Sequence, residues 1–416
     1  MKIVRSILCA FTALILTGCS GTSTVLPSGA TGTSGSTGMS GTTSVSGPEV
    51  TGTSPEIYPE TTESEPVEPT REAPPTVEPS DPVEVRALEL LSGMTPVEKA
   101  GQVVLARYPG SSAAQDQAEL HLGGFTLFAA DIDGKSPEQL TEELSELQAG
   151  AAIPLLIAVD EEGGSVVRVS KFPQFRSERF PAQSEVLASG GADGVYADAV
   201  EKSGLLAPLG FSLNLAPVCD LPRSASDYIY DRAFGTDVEE VCEAVRSAVS
   251  GYVDSGMLCA LKHFPGYGNN LDTHTGISID ERPMSELEEL DLKPFIAGIE
   301  AGAPVVMVSH NIVKCVNAEL PGSLSPEMYT LVRSLGFDGV IMTDDLSMEA
   351  IGTYCGENRA AVTALLAGAD LLCSSDYKNA VAALVQAVNS GEIPAERLDD
   401  AVLRILKMKI RNGMLD

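Results

Sequence analysis

The chain has 416 residues and a formal net charge of −31, because 58 Asp and Glu stand against 27 Lys and Arg. The acidic residues are spread along the whole chain and no basic face is visible, which argues against nucleic acid as a partner. Hydrophobic residues make up 44% of the chain, enough for a large core.

The first 19 residues have the pattern of a bacterial secretory signal. Lys2 and Arg5 form a basic start, an apolar run covers residues 7–16, and small residues follow. The run is too short to cross a bilayer, which predicts a signal peptide rather than a membrane span. Its end, "LTGC", resembles the bacterial lipobox and predicts a lipid anchor on Cys19 that holds the protein on the cell membrane, outside the cytoplasm. The alternative is a free secreted protein.

Residues 20–82 are rich in Gly, Ser, Thr, Pro and Glu and contain almost no large apolar residue. Such a segment cannot bury enough surface to offset the entropy of ordering it. We therefore expect a disordered tether between the anchor and a folded module.

Residues 83–416 alternate short apolar runs with longer helical patterns. The strand candidates are "GQVVLARY", "GGFTLFA", "IPLLIAVD", "FSLNLAPVCD", "MLCALKHF", "APVVMVSH", "DGVIMTDD" and "ADLLCSS". Nearly continuous apolar runs are typical of strands buried on both faces. Eight of them with helical crossovers predict an α/β fold, a single (β/α)8 TIM-like barrel domain. The rival, a doubly wound open sheet, would need a Gly-rich turn after the first strand, which "ARYPGSSAAQ" matches poorly.

Six cysteines lie beyond the leader, at positions 219, 242, 259, 315, 355 and 373. Most sit in apolar segments and none has C-x-x-C spacing, so we interpret them as core residues and expect no zinc site. An exported protein can form one or two disulfides from such a set, but the sequence does not fix the pairing. We expect no metal and no cofactor.

The strand candidates repeatedly end in polar residues, as in "AVDEEGG", "APVCD", "KHFPG", "VSHN" and "MTDD". In a barrel these ends converge on one face, where active sites form. Asp344 follows an apolar strand, and a carboxylate held there can attack an electrophilic carbon or stabilise positive charge. Its neighbour Asp345 is a candidate N-cap for the next helix, and strand alternation favours Asp344 as the one facing the barrel axis.

His274 lies in the Gly- and Asn-rich loop of "LKHFPGYGNNLDTHTG". Asp272, two residues earlier, could hold the imidazole in one tautomer and raise its basicity, an arrangement suited to proton transfer. The alternative is a solvated loop histidine.

Several blocks together resemble glycoside hydrolase family 3, specifically its bacterial β-N-acetylglucosaminidases. "ALKHFPGYGNNLDTH" resembles the family's "KHFPGHG…DSH", and "AVDEEGGSVVRV", "NLAPVCDL", "DRAFGTD" and "GVIMTDDLSMEAI" resemble further family segments in the same order, across residues 85–416. The resemblance implies a retaining enzyme with Asp344 as nucleophile, His274 as general acid/base and Asp272 supporting it. The residues that it places around the sugar are Asp160, Arg168, Arg232, Lys262 and His263.

This sequence departs from the family pattern at Tyr267, which replaces the histidine of "PGHG" and affects the expected loop conformation and aglycone preference. His310 could line the pocket or be a packed core histidine. We expect a monomer whose substrate is a GlcNAc-containing glycan, with peptidoglycan fragments carrying GlcNAc-β-1,4-MurNAc as the favoured source.

Other functions stay open at this point. They are a β-glucosidase or β-xylosidase of the same family, a lipid-anchored sugar-binding protein, and a barrel lyase or aldolase using Lys262 as a Schiff base. Acidic residues around that lysine argue for an ammonium instead. Phosphate in place of water as the acceptor is a further alternative.

Overall fold

Eight parallel strands form the centre of the computed structural model, which describes residues 81–270, 278–356 and 359–415. The signal peptide, Cys19, the tether up to residue 80, Asp272 and His274 lie outside the described residues. The strands in chain order are β1 Val104–Arg107, β2 Gly124–Leu127, β3 Leu156–Val159, β4 Leu213–Asn214, β5 Leu258–Phe264, β6 Ile279–Asp280, β7 Val305–Val308, β8 Ile312–Val313, β9 Val340–Thr343 and β10 Leu372–Ser374.

The main sheet has the order β10-β1-β2-β3-β4-β5-β7-β9, and every pair in it is parallel. An isolated parallel bridge between Met342 and Leu371 links β9 to the chain entering β10, so the sheet comes round on itself. All residues of β2, β3, β7 and β9 are buried, as expected of strands covered on both faces. The (β/α)8 prediction is confirmed, and each predicted strand segment contains one of these strands.

Helices surround the barrel. In chain order they are α1 Pro82–Ser92, α2 Pro96–Gln102, α3 Ala113–Leu120, α4 Ala129–Ile132, α5 Pro137–Ala149, α6 Gln183–Leu206, α7 Val238–Asp254, α8 Met284–Glu286, α9 Leu292–Glu300, α10 Pro326–Ser334, α11 Glu349–Cys355, α12 Ala360–Ala367, α13 Tyr377–Asn389 and α14 Ala395–Arg411. Side-chain caps fix several starts: Ser136 begins α5, Asp237 begins α7 and Ser325 begins α10, each accepting a hydrogen bond from a first-turn amide.

The short strands β6 and β8 pair with each other outside the barrel. They hold the chain on the far side of residues 271–277, because Ile312 N donates to Ser278 O and Lys314 N donates to Asp280 O. Within the described residues, no helix combines the length and apolar character needed to cross a bilayer. The six cysteines of this part of the chain are free thiols, with Cys219 and Cys259 fully buried.

Candidate active site

A cleft of about 540 Å³ opens where the barrel strands end. Six predicted site residues line it: Asp160, Arg168, Arg232, Lys262, His263 and Asp344. Another cavity of about 500 Å³ lies where strands begin, beside Leu258, Pro304 and Gly339, and contains none of these six. Catalytic residues of such barrels come from the carboxyl ends of the strands, so the first cleft is the candidate active site.

Lys262, at the end of β5, lies between two carboxylates. Its Nζ is 2.7 Å from Asp160 Oδ1 and 2.6 Å from Glu162 Oε1. Glu162 also accepts hydrogen bonds from Arg232, from Nη2 to Oε1 at 2.8 Å and from Nε to Oε2 at 3.0 Å. Each charge in this buried row is therefore compensated by the next.

Burial and the row of charges act in opposite directions on these groups. Burial alone would raise the pKa of Glu162, but Lys262 and Arg232 outweigh it and hold that pKa far below its ordinary value. Burial would lower the pKa of Lys262, but Asp160 and Glu162 outweigh it and raise that pKa. Lys262 is therefore an ammonium at neutral pH, which argues against the Schiff-base alternative.

His263 is oriented by Asp220, which follows β4. Asp220 Oδ2 lies 2.8 Å from His263 Nδ1 and accepts the His263 backbone N–H at 3.1 Å. The same carboxylate accepts the Tyr267 N–H at 2.7 Å through Oδ1. On the other side of the ring, His263 Nε2 is 3.2 Å from Arg232 Nη2. With Nδ1–H directed at Asp220, Nε2 faces the guanidinium as an acceptor.

The loop after β3 carries Arg168 and is folded around Glu161. The carboxylate of Glu161 accepts the backbone N–H of Arg168 at 2.8 Å, of Val169 at 2.7 Å and of Ser170 at 3.2 Å. Arg168 Nη2 is 3.7 Å from Asp160 Oδ2, and its Nε is buried without a hydrogen-bond partner in the described residues. The guanidinium therefore keeps one donor, Nε, that no described residue satisfies.

Asp344 and Asp345 both line the cleft, contrary to the expectation from strand alternation. Asp344 is the first residue beyond β9, so the pleat no longer dictates its direction; its backbone N–H donates to Val308 O at 3.1 Å. Asp345 is no helix N-cap, because it accepts the N–H groups of Ser347 and Ser375 and α11 begins only at residue 349. The buried His310 places Nε2 3.0 Å from Asp345 O and does not line the cleft.

The chain leading from β5 towards His274 is held by Arg282. Arg282 Nη2 donates to Gly266 O at 2.8 Å, and the same side chain pairs with Asp280 and Asp291. Gly268 has φ +54°, and a Cβ there would meet Arg282 Nη1 at 2.1 Å. Only glycine fits this close approach at a left-handed φ, so both ends of the loop are fixed.

Sequence reasoning did not single out Glu162 and Asp220. Both lie in segments it had used, "DEEGG" and "APVCD", next to predicted site residues or at a strand end. It also passed over Arg107 and Phe128, whose ring lies 4.6 Å from the Arg107 guanidinium carbon at the rim of the cleft. The polar strand end at Arg107 was the available signal.

Comparison with known proteins agrees with this architecture. The profile "Glycosyl hydrolase family 3 N terminal domain" matches residues 96–408. The "Beta-hexosaminidase" of Xylella fastidiosa is 36% identical over 274 residues, covering 64% of this chain and 79% of that protein. "Beta-hexosaminidase LpqI" of Mycobacterium tuberculosis is 31% identical over 329 residues, covering 76% of this chain and 83% of that protein.

A solved structure is similar over the same region. The glycoside hydrolase family 3 beta-N-acetylglucosaminidase from Paenibacillus sp. str. FPU-7 superposes with a TM-score of 0.72 at 35% identity and covers 77% of this chain. This chain spans 63% of that protein's chain. The family profile extends over most of the barrel domain described above, and the chain belongs to glycosyl hydrolase family 3.

Proposed function

We propose that the protein is a retaining exo-β-N-acetylglucosaminidase. The observation that carries the proposal is the position of Asp344 in one cleft with the charged row of Asp160, Lys262, Glu162 and Arg232. Such a row offers both carboxylate acceptors and cationic donors to sugar hydroxyls, beside a carboxylate placed to react. The β-hexosaminidase names of the two similar proteins support the same activity.

Asp344 is the proposed nucleophile. Its carboxylate attacks the anomeric carbon of the terminal sugar and forms a covalent glycosyl-enzyme, while the bond to the leaving oxygen breaks. His274 is the proposed general acid/base: it donates a proton to the leaving oxygen, and then takes one from the water that hydrolyses the intermediate. Asp272 would hold the imidazole in the tautomer needed for both steps.

The charged row would position the sugar. Asp160 would accept hydrogen bonds from sugar hydroxyls, while Lys262, Arg232 and Arg168 would donate to hydroxyls or to the acetamido carbonyl. His263, held by Asp220, would add a further contact of fixed orientation. Because these groups are already paired with one another, little reorganisation would be needed when the sugar binds.

We further propose that the enzyme works outside the cytoplasm, anchored through Cys19, on peptidoglycan fragments that carry GlcNAc-β-1,4-MurNAc. The support is the sequence "LTGC", which resembles a lipobox, and the long Gly/Ser/Thr-rich segment after it. A tether of this kind would let the barrel reach wall material while the lipid stays in the membrane.

Kinetics of the full chain test the activity. The purified protein is assayed with aryl β-N-acetylglucosaminide and aryl β-glucoside, with Asp344→Ala measured in parallel. We expect the acetamido substrate to be turned over much faster and Asp344→Ala to be nearly inactive, since the nucleophile is lost. Equal or better turnover of the glucoside would contradict the specificity, and an unchanged rate in Asp344→Ala would contradict the mechanism.

A further inference from the structure

A second, smaller pocket of about 460 Å³ adjoins the cleft. The two share Phe128, Ser165 and Arg168 as lining residues, so the pocket is continuous with the cleft at these residues. Its outer wall carries Lys171 and Arg179, from the loop after β3. The remaining lining residues are two alanines and a valine, and no Asp or Glu of the described part of the chain lines it. We call it the cationic side pocket.

The two cations of its outer wall are unlike the other basic side chains of the protein. Within the described residues, Lys171, Arg179 and Lys409 are the Lys and Arg side chains that form no ion pair. Lys409 is buried and hydrogen-bonded to Gln102 and Gly123. Lys171 has one ring contact, with Phe172 at 5.8 Å, and both Lys171 and Arg179 are exposed.

Unpaired cations are unexpected in this composition. Acidic residues outnumber basic ones 58 to 27, so a basic side chain at the surface readily finds a carboxylate. Asp131, the acidic residue of α4, is paired with Arg107 at 2.7 Å. Arg168, the third cation that lines the pocket, is already paired with Asp160 at 3.7 Å. The pocket thus presents two unpaired cations beside the cleft, and none of the described residues that line it is a carboxylate.

Resting on the proposed function, we propose that the cationic side pocket binds a carboxylate carried by the aglycone sugar. The leaving group must lie next to the terminal sugar, and this pocket continues the cleft on the side of Phe128. Guanidinium groups match carboxylates in geometry and charge. The protein's net charge of −31 repels acidic substrates at long range, and local cations would offset that repulsion where the acid docks.

A pair of substrates that differ only in charge tests the proposal. We would measure kcat/KM for GlcNAc-β-1,4-MurNAc as the free acid and as its methyl ester, using the full chain at low salt. The variants are Lys171→Glu/Arg179→Glu and, as a matched control, Arg246→Glu/Lys293→Glu, which reverses two cations on α7 and α9. Melting temperatures establish that both variants are folded.

We expect the wild type and the control to prefer the free acid. The ratio of kcat/KM for acid to ester should fall by about ten- to thirtyfold in the side-pocket variant, as for two lost charge-assisted hydrogen bonds. Added salt should shrink the preference of the wild type. An unchanged ratio, an equal fall in the control, or failure of the wild type to cleave either disaccharide would overturn the inference.

Two further measurements distinguish this inference from the proposed function and from binding of phosphate. If aryl β-N-acetylglucosaminide is not hydrolysed, the proposed function fails, whereas hydrolysis of it with no discrimination between acid and ester contradicts only the side pocket. Inorganic phosphate is the other anion considered for this pocket. Phosphate-dependent release of a sugar phosphate, lost in Lys171→Glu/Arg179→Glu, would show that the pocket holds a phosphate acceptor and would overturn the carboxylate assignment.

Discussion

The Glu162→Gln substitution removes the central charge of the buried row in the cleft. Glu162 is 1% exposed and is the carboxylate shared by Lys262 and Arg232. Removing one partner of a buried ion pair costs about 3–5 kcal/mol, because the other charges stay buried and uncompensated. The unfolding entropy is roughly 2 cal/mol/K per residue, so for about 330 folded residues this loss corresponds to a fall in Tm of about 5–8 °C.

The dependence of this loss on pH has a definite sign. The pKa of Glu162 is lowered in the folded protein, so its contribution to stability is fully present above its ordinary pKa of 4.5 and is lost as pH falls towards the folded value. The difference in Tm between wild type and Glu162→Gln should therefore be constant from pH 8 to about pH 5 and shrink in more acidic buffer.

Thermal unfolding followed by circular dichroism measures both effects. The matched control is Glu201→Gln. The side chain of Glu201 is 61% accessible and pairs with Arg176 at the surface. That change should cost no more than about 1 kcal/mol. If Glu162→Gln melted within 1 °C of the control, the reasoning from buried compensation would be refuted.

The remaining predictions concern a buried amine and the loop that leads to His274. Burial lowers the pKa of Lys409 to about 7, so between pH 7 and 10 the unfolded chain holds a proton that the folded chain lacks. In denaturant titrations, the free energy of unfolding of the wild type should rise by up to about 1.4 kcal/mol per pH unit relative to that of Lys409→Met. Parallel pH profiles of the two proteins would contradict this. Gly268→Ala should displace Arg282 and lower kcat by about tenfold or more, because the loop would be misplaced. The control Gly204→Ala, with no atom within 4 Å of the added Cβ, should leave kcat unchanged. Equal kcat values in the two variants would contradict the role of Gly268 in positioning the loop.

The barrel was predictable because its strands are continuous apolar runs, which is what burial on both faces requires. The pair β6 and β8 was not predicted, because two-residue strands carry no periodic signal. Asp345, a candidate N-cap from the sequence, is not one, since its side chain bonds across to the loop after β10 instead of to a helix amide.

Six of the predicted site residues line one cleft, but their contacts were less predictable. Lys262 and His263 are consecutive in β5, and alternation would send them to opposite faces, yet both line the cleft. The register between β5 and β7 shifts between Leu261 and Phe264, which the sequence does not reveal. Likewise, nothing local distinguishes Glu161, which folds the loop, from Glu162, which compensates two cations. Those assignments depend on residues far away in the chain.

Trapping the intermediate tests the central claim most directly. The full chain is incubated with a 5-fluoro-N-acetylglucosaminyl fluoride, which forms the glycosyl-enzyme faster than it is hydrolysed, and digested peptides are analysed by mass spectrometry. We predict one added sugar on the peptide containing Asp344, and none in Asp344→Ala. A sugar attached to another residue, or turnover of substrate with no covalent adduct at any time, would contradict the proposed mechanism.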